Sequence, residues 1–484
     1  MKALGITFPS GALLLLACSA LHAQTATVDL GTTYQTIRGF GGINHPEWAG
    51  DLTAAQRTTA FGNGDGQLGM TVLRIFVNDD STKWSLAVPT ALAAQNLGVS
   101  TIFATPWNPP STMRTNTGTS SAKYSMNTAS FAAYADFLNK FVAYMKAKGV
   151  SLTAISIQNE PDYAGDWTYW SQDQVYQFAL NYADKISTKV ISAESFNYNK
   201  SYYDKILNDP KALANIDIVG THLYGTSVSN FPYALFDQKA AGKERWMTEH
   251  YTDSKSDADV WPMALDVATE LHNCMVQGQF NAYTWWYIRR KYSPMKEDGT
   301  ISKRGYCFAQ FSKFIRPGFV RVNATASPAT GLYVSAYKKD DSLVVVAVNT
   351  NTSSKSLNVS IASTKATAFT KYTTSSSKSL VKDGSVSFAG GTFSTTLDAQ
   401  SVATFVAVLP ATPTGLEAHA VEANTAMLPG DYQVYDITGM HLGFVRISAG
   451  QTPQEALRRM VPKSGIYVVK SPNEVGAHRI HVVL

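Results

Sequence analysis

The feature that most constrains this chain is a rhythm. Between about residues 37 and 316, short apolar runs alternate with segments of helical periodicity. The runs occupy residues 39–44, 71–77, 101–106, 154–159, 190–193, 216–222, 245–248 and 282–288. They are near-continuously apolar, as strands covered on both faces must be. Between them, Tyr134, Phe137, Leu138, Phe141 and Met145 recur at helical spacing, and Gly149 offers a stop. Thr53 with Gln56, and Ser171 with Gln174, have the spacing of capping boxes. Eight such repeats over roughly 280 residues predict an α/β fold, an eight-stranded β/α barrel. The alternative is a doubly wound open sheet, but Gly39-Phe-Gly-Gly42 lacks the spacing of a nucleotide fingerprint.

Composition sets the outer limits. The chain has 484 residues, 45% hydrophobic and 16% charged, which describes an ordinary globular protein with room for more than one domain. A formal charge of +5 with no dense Lys/Arg block argues against nucleic acid as a partner. Residues 1–23 read as an export signal: Lys2, an apolar run over 11–17, then Ala23 before Gln24. A rival reading takes Leu15-Leu-Ala-Cys18 as a lipoprotein box, leaving Cys18 lipidated. No later run is long enough for a membrane span. Beyond the signal, Cys274 and Cys307 are either paired or two buried free thiols, and spacing does not choose.

Residues 24–36 are expected to supply a strand to a second domain. That domain is an antiparallel β-sandwich over 317–409, where Val-rich runs alternate with Ser/Thr/Asn/Gly stretches. Residues 410–413 read as a linker, and 414–484 as a small β-rich module with strands near 432–435, 465–469 and 478–483.

In a β/α barrel, chemistry gathers at the C-terminal ends of the strands. Two glutamates lie there: Glu160, in Gln158-Asn-Glu-Pro161 after the fourth strand, and Glu249, after the seventh. Paired carboxyls across a barrel mouth suit glycosidic cleavage, one protonating the leaving oxygen and the other attacking carbon or activating water. Asn159 is placed to hydrogen-bond a sugar 2-hydroxyl. Glu194, ending the fifth strand, is the competing carboxylate, read as structural. His222 is read as a hydrogen-bonding residue, since no second His or Cys stands at metal-ligand spacing; neither metal nor cofactor is called for. Aromatics recur at the same ends: Trp107, Tyr163, Trp167, Tyr224, Tyr251, Trp285 and Trp286. Together they suit a saccharide cleft. Of Arg289 and Arg290, one suits a sugar carboxylate and the other a structural ion pair.

These stretches carry a resemblance. Residues 38–52, Pro106-Trp-Asn-Pro-Pro110, Gln158-Asn-Glu-Pro-Asp-Tyr163, Gly220-Thr-His-Leu-Tyr-Gly225, Trp246-Met-Thr-Glu-His-Tyr251 and Trp285-Trp-Tyr-Ile-Arg-Arg290 are their core. From about residue 26 to 408 the chain resembles the bacterial glucuronoxylan endo-xylanases of glycoside hydrolase family 30, subfamily 8. The resemblance implies a retaining mechanism with Glu160 as acid/base and Glu249 as nucleophile. It implies cleavage of β-1,4-xylan at a position set by a (4-O-methyl)glucuronic acid branch, gripped by Tyr251, Ser254, Arg290 and Tyr292. It also implies sugar subsites lined by Trp107, Tyr163, Tyr224, Trp286 and Tyr287, in an enzyme acting as a monomer. Two other readings stay open: a relative acting on another β-glycan or indifferent to branches, and a barrel that binds glycan without turnover. The tail beyond Thr412 lies outside this pattern. It resembles the sorting or attachment modules of exported bacterial enzymes, through residues 434–439 and 464–470.

Overall fold

The computed structural model describes residues 23–163, 165–252, 257–340, 342–408, 429–436, 441–461, 465–470 and 478–482. The export signal with Cys18, Ser254 and the linker lie outside these residues. The chain divides into two compact units, Met1–Pro410 and Ala411–Leu484.

All eight expected strands form, and they close into one barrel. They are β1 Gly39–Asn44, β2 Val72–Val77, β3 Thr101–Pro106, β4 Ala154–Ser156, β5 Lys189–Ile191, β6 Ile218–His222, β7 Glu244–His250 and β8 Ala282–Trp285. Every pairing is parallel, and β8 closes on β1 with Ala282 opposite Gly39. The two-residue period of a strand sorts the side chains. On β2, Leu73, Ile75 and Val77 face outward into the helical layer, while Val72 and Arg74 face inward. One inward ring, Val72, Phe103, Ala154, Ile191, Ile218, Trp246 and Ala282, forms an apolar plug. Each large side chain so buried contributes about 1.5–3 kcal/mol.

The helices begin and end where the residues direct. Thr53 and Ser171 each cap a helix, Ala54–Phe61 and Gln172–Asn181, with both reciprocal bonds of the capping box present. In Phe131–Ala147 the expected apolar stripe is buried, and Gly149, at φ +84°, turns the chain out of the helix. Cys274 and Cys307 are buried free thiols, on helices Asp266–Val276 and Lys303–Ser312.

Beside the barrel stands one nine-stranded sheet, wrapped around its own core of Val28, Val345, Val359, Phe369, Phe393 and Phe405. Phe393 closes it against Phe369 and Phe405, at ring distances of 4.8 and 5.0 Å. The N-terminal strand, Gln24–Thr36, joins this sheet. It pairs antiparallel with Val320–Ala324 and parallel with Lys355–Ile361. That parallel pair departs from the all-antiparallel expectation. Parallel neighbours need a long connection rather than a hairpin, and the whole barrel intervenes here.

The second unit is a four-stranded antiparallel sheet, Gly430–Asp436, His441–Ile447, Gly465–Lys470 and His478–Val482, with the short helix Pro453–Leu457. Its core includes Tyr432, Val434, Val445, Ile447, Leu457 and Val469. Among the described residues, no helix is long and apolar enough to cross a membrane.

Candidate active site

Two local departures from regular strand geometry build the site. On β7 the pairing with β6 slips: Met247 stands opposite Thr221, but Glu249 stands opposite His222. The extra residue is a β-bulge, which re-aims the side chains beyond it. Trp246 faces inward, so plain alternation would turn Glu249 outward; the bulge brings it in beside His222. On the other side, Glu160 takes a left-handed backbone, φ +42°, rare for a residue with a Cβ. The bend is held by backbone bonds from Glu160 N–H to the Glu194 carbonyl (2.8 Å) and from Glu194 N–H to the Gln158 carbonyl (2.8 Å).

The result is a buried electrostatic unit. An oxygen of Glu160, one of Glu249 and a ring nitrogen of His222 all lie within 4.8 Å of one another. His222 Nδ1 meets Glu160 Oε1 at 2.9 Å, and Trp167 Nε1 donates to Glu160 Oε2 at 2.9 Å. The Tyr224 hydroxyl donates to Glu249 Oε1 at 2.9 Å, and Arg74 donates to Glu249 Oε2. Each of the four carboxylate oxygens therefore has a protein hydrogen-bond partner that fixes its position. Arg74 also reaches Asn159 Oδ1 (2.7 Å) and Glu194 Oε2 (2.9 Å). Its guanidinium lies 4.6 Å from the ring centroid of Trp107.

Asn159 thus spends its carbonyl on Arg74, while its buried Nδ2 has no acceptor among the described residues. An unspent amide donor beside Glu160 is what a sugar hydroxyl requires. Burial pulls the His222 imidazole down, but Glu249, Glu160 and Glu194 more than offset it and raise the ring to about 9. Burial pushes Glu194 up, yet Arg74 and His222 hold it at about 2. Glu249 is raised by burial and by Glu160, against the pull of His222 and Arg74.

Aromatic side chains wall the mouth in two stacks. One runs Tyr163–Phe196–Tyr224–Tyr251–Tyr292, with ring centroids 4.9, 5.0, 5.4 and 5.3 Å apart. The other gathers Trp48, Trp107, Trp167, Trp286 and Tyr287. Tyr163 and Trp48 are 42% and 40% exposed, so both offer ring faces to a ligand. Trp107 is 2% exposed and forms the floor under them. Trp285, ending β8, points outward into the helical layer, and Trp286, just past the strand, turns to the mouth.

The paired arginines both reach Glu297, at 3.5 Å for Arg289 and 3.4 Å for Arg290, and otherwise take different partners. Arg289 is spent on Gln56 Oε1 (2.9 Å) and the Ala49 carbonyl (2.5 Å). Arg290 lies over the Tyr287 ring at 4.6 Å, with longer contacts to Glu297 Oε1 (3.4 Å) and the Trp48 carbonyl (3.1 Å). Tyr251 and Tyr292 pack against each other with ring centroids 5.3 Å apart; Ser254 is outside the described residues. The structure adds Arg74, Trp48 and Phe196 to the residues expected here. Arg74 carries a visible signal: a lone charge inside an apolar strand must find buried partners.

The chain is 52% identical over 397 residues to the glucuronoxylanase XynC of Bacillus subtilis (strain 168), spanning 81% of this chain and 93% of that protein. Among solved structures it is similar to a GH30 endoxylanase from Clostridium papyrosolvens C71, at 41% identity and a TM-score of 0.75, over 79% of this chain and 100% of that one. It is also similar to the glycoside hydrolase family 30 subfamily 8 xylanase Xyn30A from Clostridium acetobutylicum, at 34% identity and a TM-score of 0.73, over 79% and 99%. No family model matches the chain.

Proposed function

The chain belongs to glycoside hydrolase family 30, subfamily 8, and from that premise we propose a residue-by-residue mechanism and a branch-directed specificity for it. The protein is a retaining endo-1,4-β-xylanase acting on glucuronoxylan. The observation that carries the mechanism is the approach of the two carboxylates. An oxygen of each lies within 4.8 Å of the other, an approach on the side of the roughly 5–5.5 Å of direct attack rather than the 6.5–9.5 Å that accommodates a water nucleophile.

In this reading Glu160 gives its proton to the glycosidic oxygen while Glu249 attacks the anomeric carbon, forming a glycosyl-enzyme. Water then attacks that carbon, losing its proton to Glu160 and releasing Glu249, so configuration is retained. The guanidinium of Arg74 falls on Glu249 and favours its charged form, against burial and Glu160, which push the other way. Asn159 Nδ2 donates to the 2-hydroxyl of the reacting xylose, a bond that strengthens as charge develops. Trp107, Tyr163, Tyr224, Trp286 and Tyr287 shape the xylose subsites.

The branch is read by Arg290, with Tyr251, Ser254 and Tyr292. A uronate offers two oxygens to the guanidinium fork, a better match than the long contacts Arg290 now makes. The enzyme acts as a single chain, since every residue of the site comes from one unit, and it is exported on the strength of residues 1–23. The competing reading is a xylanase indifferent to branches, or a hydrolase of another β-glycan.

Mass spectrometry of products from methylglucuronoxylan tests the choice. Acidic oligosaccharides carrying the branch at one constant position are expected, and Arg290→Ala should lose activity about 100-fold with an unchanged melting temperature. Branches at no fixed position, or equal rates on undecorated xylan, would support the competing reading.

A further inference from the structure

One buried carboxylate is not consumed by this chemistry. Glu194 stands three residues beyond β5, is fully buried and touches no open part of the mouth. Its Oε2 meets both cations of the site, Arg74 NH2 at 2.9 Å and His222 Nε2 at 3.3 Å, while Oε1 accepts from the Thr105 hydroxyl at 2.8 Å. Each cation goes on to a different catalytic carboxylate: Arg74 to Glu249, and His222 to Glu160. The Glu194 backbone also brackets Asn159 with two hydrogen bonds, holding the entry to the left-handed turn at Glu160. Space is reserved for it. A Cβ on Gly220 of β6 would come within 2.4 Å of Ile191 Cγ2 and 3.2 Å of Glu194 Cγ.

We propose that Glu194 is the positioning residue that couples the two catalytic carboxylates, pinning His222 onto Glu160 and Arg74 onto Glu249 through a single oxygen. The charges support it. With Glu160 protonated, Arg74 and imidazolium His222 balance Glu194 and Glu249, so the buried unit is neutral before the first step. Without Glu194 it carries an unbalanced positive charge in a site that cannot solvate it.

The groups facing His222 are Glu160 after β4, Glu194 after β5, Glu249 on β7 (3.8 Å), Arg74 on β2 and the Tyr224 ring. The negative charge of Glu194 beside His222 tightens the ring's hold on its proton. Removing that charge must lower the pH at which His222 deprotonates, and with it the alkaline limb of kcat/KM.

This inference rests on the roles given to Glu160 and Glu249, and the experiment separates the two. In Glu194→Gln, kcat on methylglucuronoxylan is expected to fall about tenfold or more, with KM little changed and the alkaline limb lower by about one pH unit. The His222 ring N–H resonances, followed by NMR in the free enzyme, should titrate lower by a similar amount. Glu194→Asp keeps the charge at shorter reach and should return the limb toward its original position. If Glu194→Gln does not fold, Glu194→Asp carries the test, with a limb displaced by less. A uniform loss of activity at every pH, with limb and resonance unmoved, would overturn the proposal. Full activity in Glu249→Gln would instead overturn the assignment beneath it, while leaving the NMR result to stand separately.

Discussion

The eight barrel strands enclose two unlike interiors along the same inward-facing rows. Toward their N-terminal ends lies the apolar plug of Val72, Phe103, Ala154, Ile191, Ile218, Trp246 and Ala282. At their C-terminal ends, Arg74, Glu160, Glu194, His222 and Glu249 are all buried. On β2 the change takes two residues, from Val72 to Arg74. On β6 it takes four, from Ile218 to His222. The plug gains free energy by leaving water, whereas each ion in the mouth costs several kcal/mol to desolvate and is held by its partners. The barrel therefore stabilises at one end what it needs to hold charged at the other.

The largest effect should come from Arg74→Met. Deleting the guanidinium strands Glu194 and Glu249 in the interior, which costs about 3–5 kcal/mol. It also removes a preorganised donor from Glu249, worth about 100- to 1,000-fold in kcat on the proposed mechanism. Thermal melts and initial rates would report both losses together. A variant that kept full activity would break the view of the mouth as one electrostatic unit.

Next, Trp246→Ala opens a cavity in the plug and should cost about 3–5 kcal/mol by denaturant titration. Measured well below its melting temperature, its kcat should stay close to that of the parent. A fall in kcat comparable to that of Arg74→Met would show that the two interiors are not independent.

The smallest effect is the pH dependence of stability. His222 stands at about 9 against an ordinary 6.5, so the folded chain keeps this proton after the unfolded chain has lost it. That contribution, on the order of 3 kcal/mol, is whole below pH 6.5 and lost as pH rises through 9. His45 and His272 run the other way. Burial lowers them to about 3 and 4, so what they contribute is whole above pH 6.5 and lost as pH falls toward those values. Stability should peak near neutrality, and His222→Gln should flatten the alkaline side alone. An alkaline fall of the same size in that variant would assign it elsewhere.

Much of this is legible in the residues. Strands buried on both faces announce themselves as apolar runs, and the capping boxes at Thr53 and Ser171 mark helix starts because they are local hydrogen-bond patterns. The glutamates are legible through their place at strand ends. What is hidden is whatever depends on register. Alternation alone sends Glu249 outward, and only the bulge in β7 corrects it. The strand at Ala154–Ser156 ends before residue 159 because the chain must turn to set Glu160. Lys355–Ile361 and Thr392–Leu397 are obscured by Ser and Thr on their open faces, although Leu357, Val359 and Ile361 keep the period of two. Phe196 comes to the mouth through a stack of rings that no spacing reveals.

The N-terminal strand has a consequence for how the protein is made. Val28 pairs with Ala324, so the first strand of the side sheet waits through synthesis of the entire barrel for its partner. The sheet cannot close until Ser401–Val408, third in its order, has also emerged. Contacts of such long sequence separation form late and slowly. The first and last strands of the sheet in chain order, each between partners of its own, both fasten late. A chain built this way remains unfastened while it is being synthesised, the state in which a polypeptide can still be threaded across a membrane.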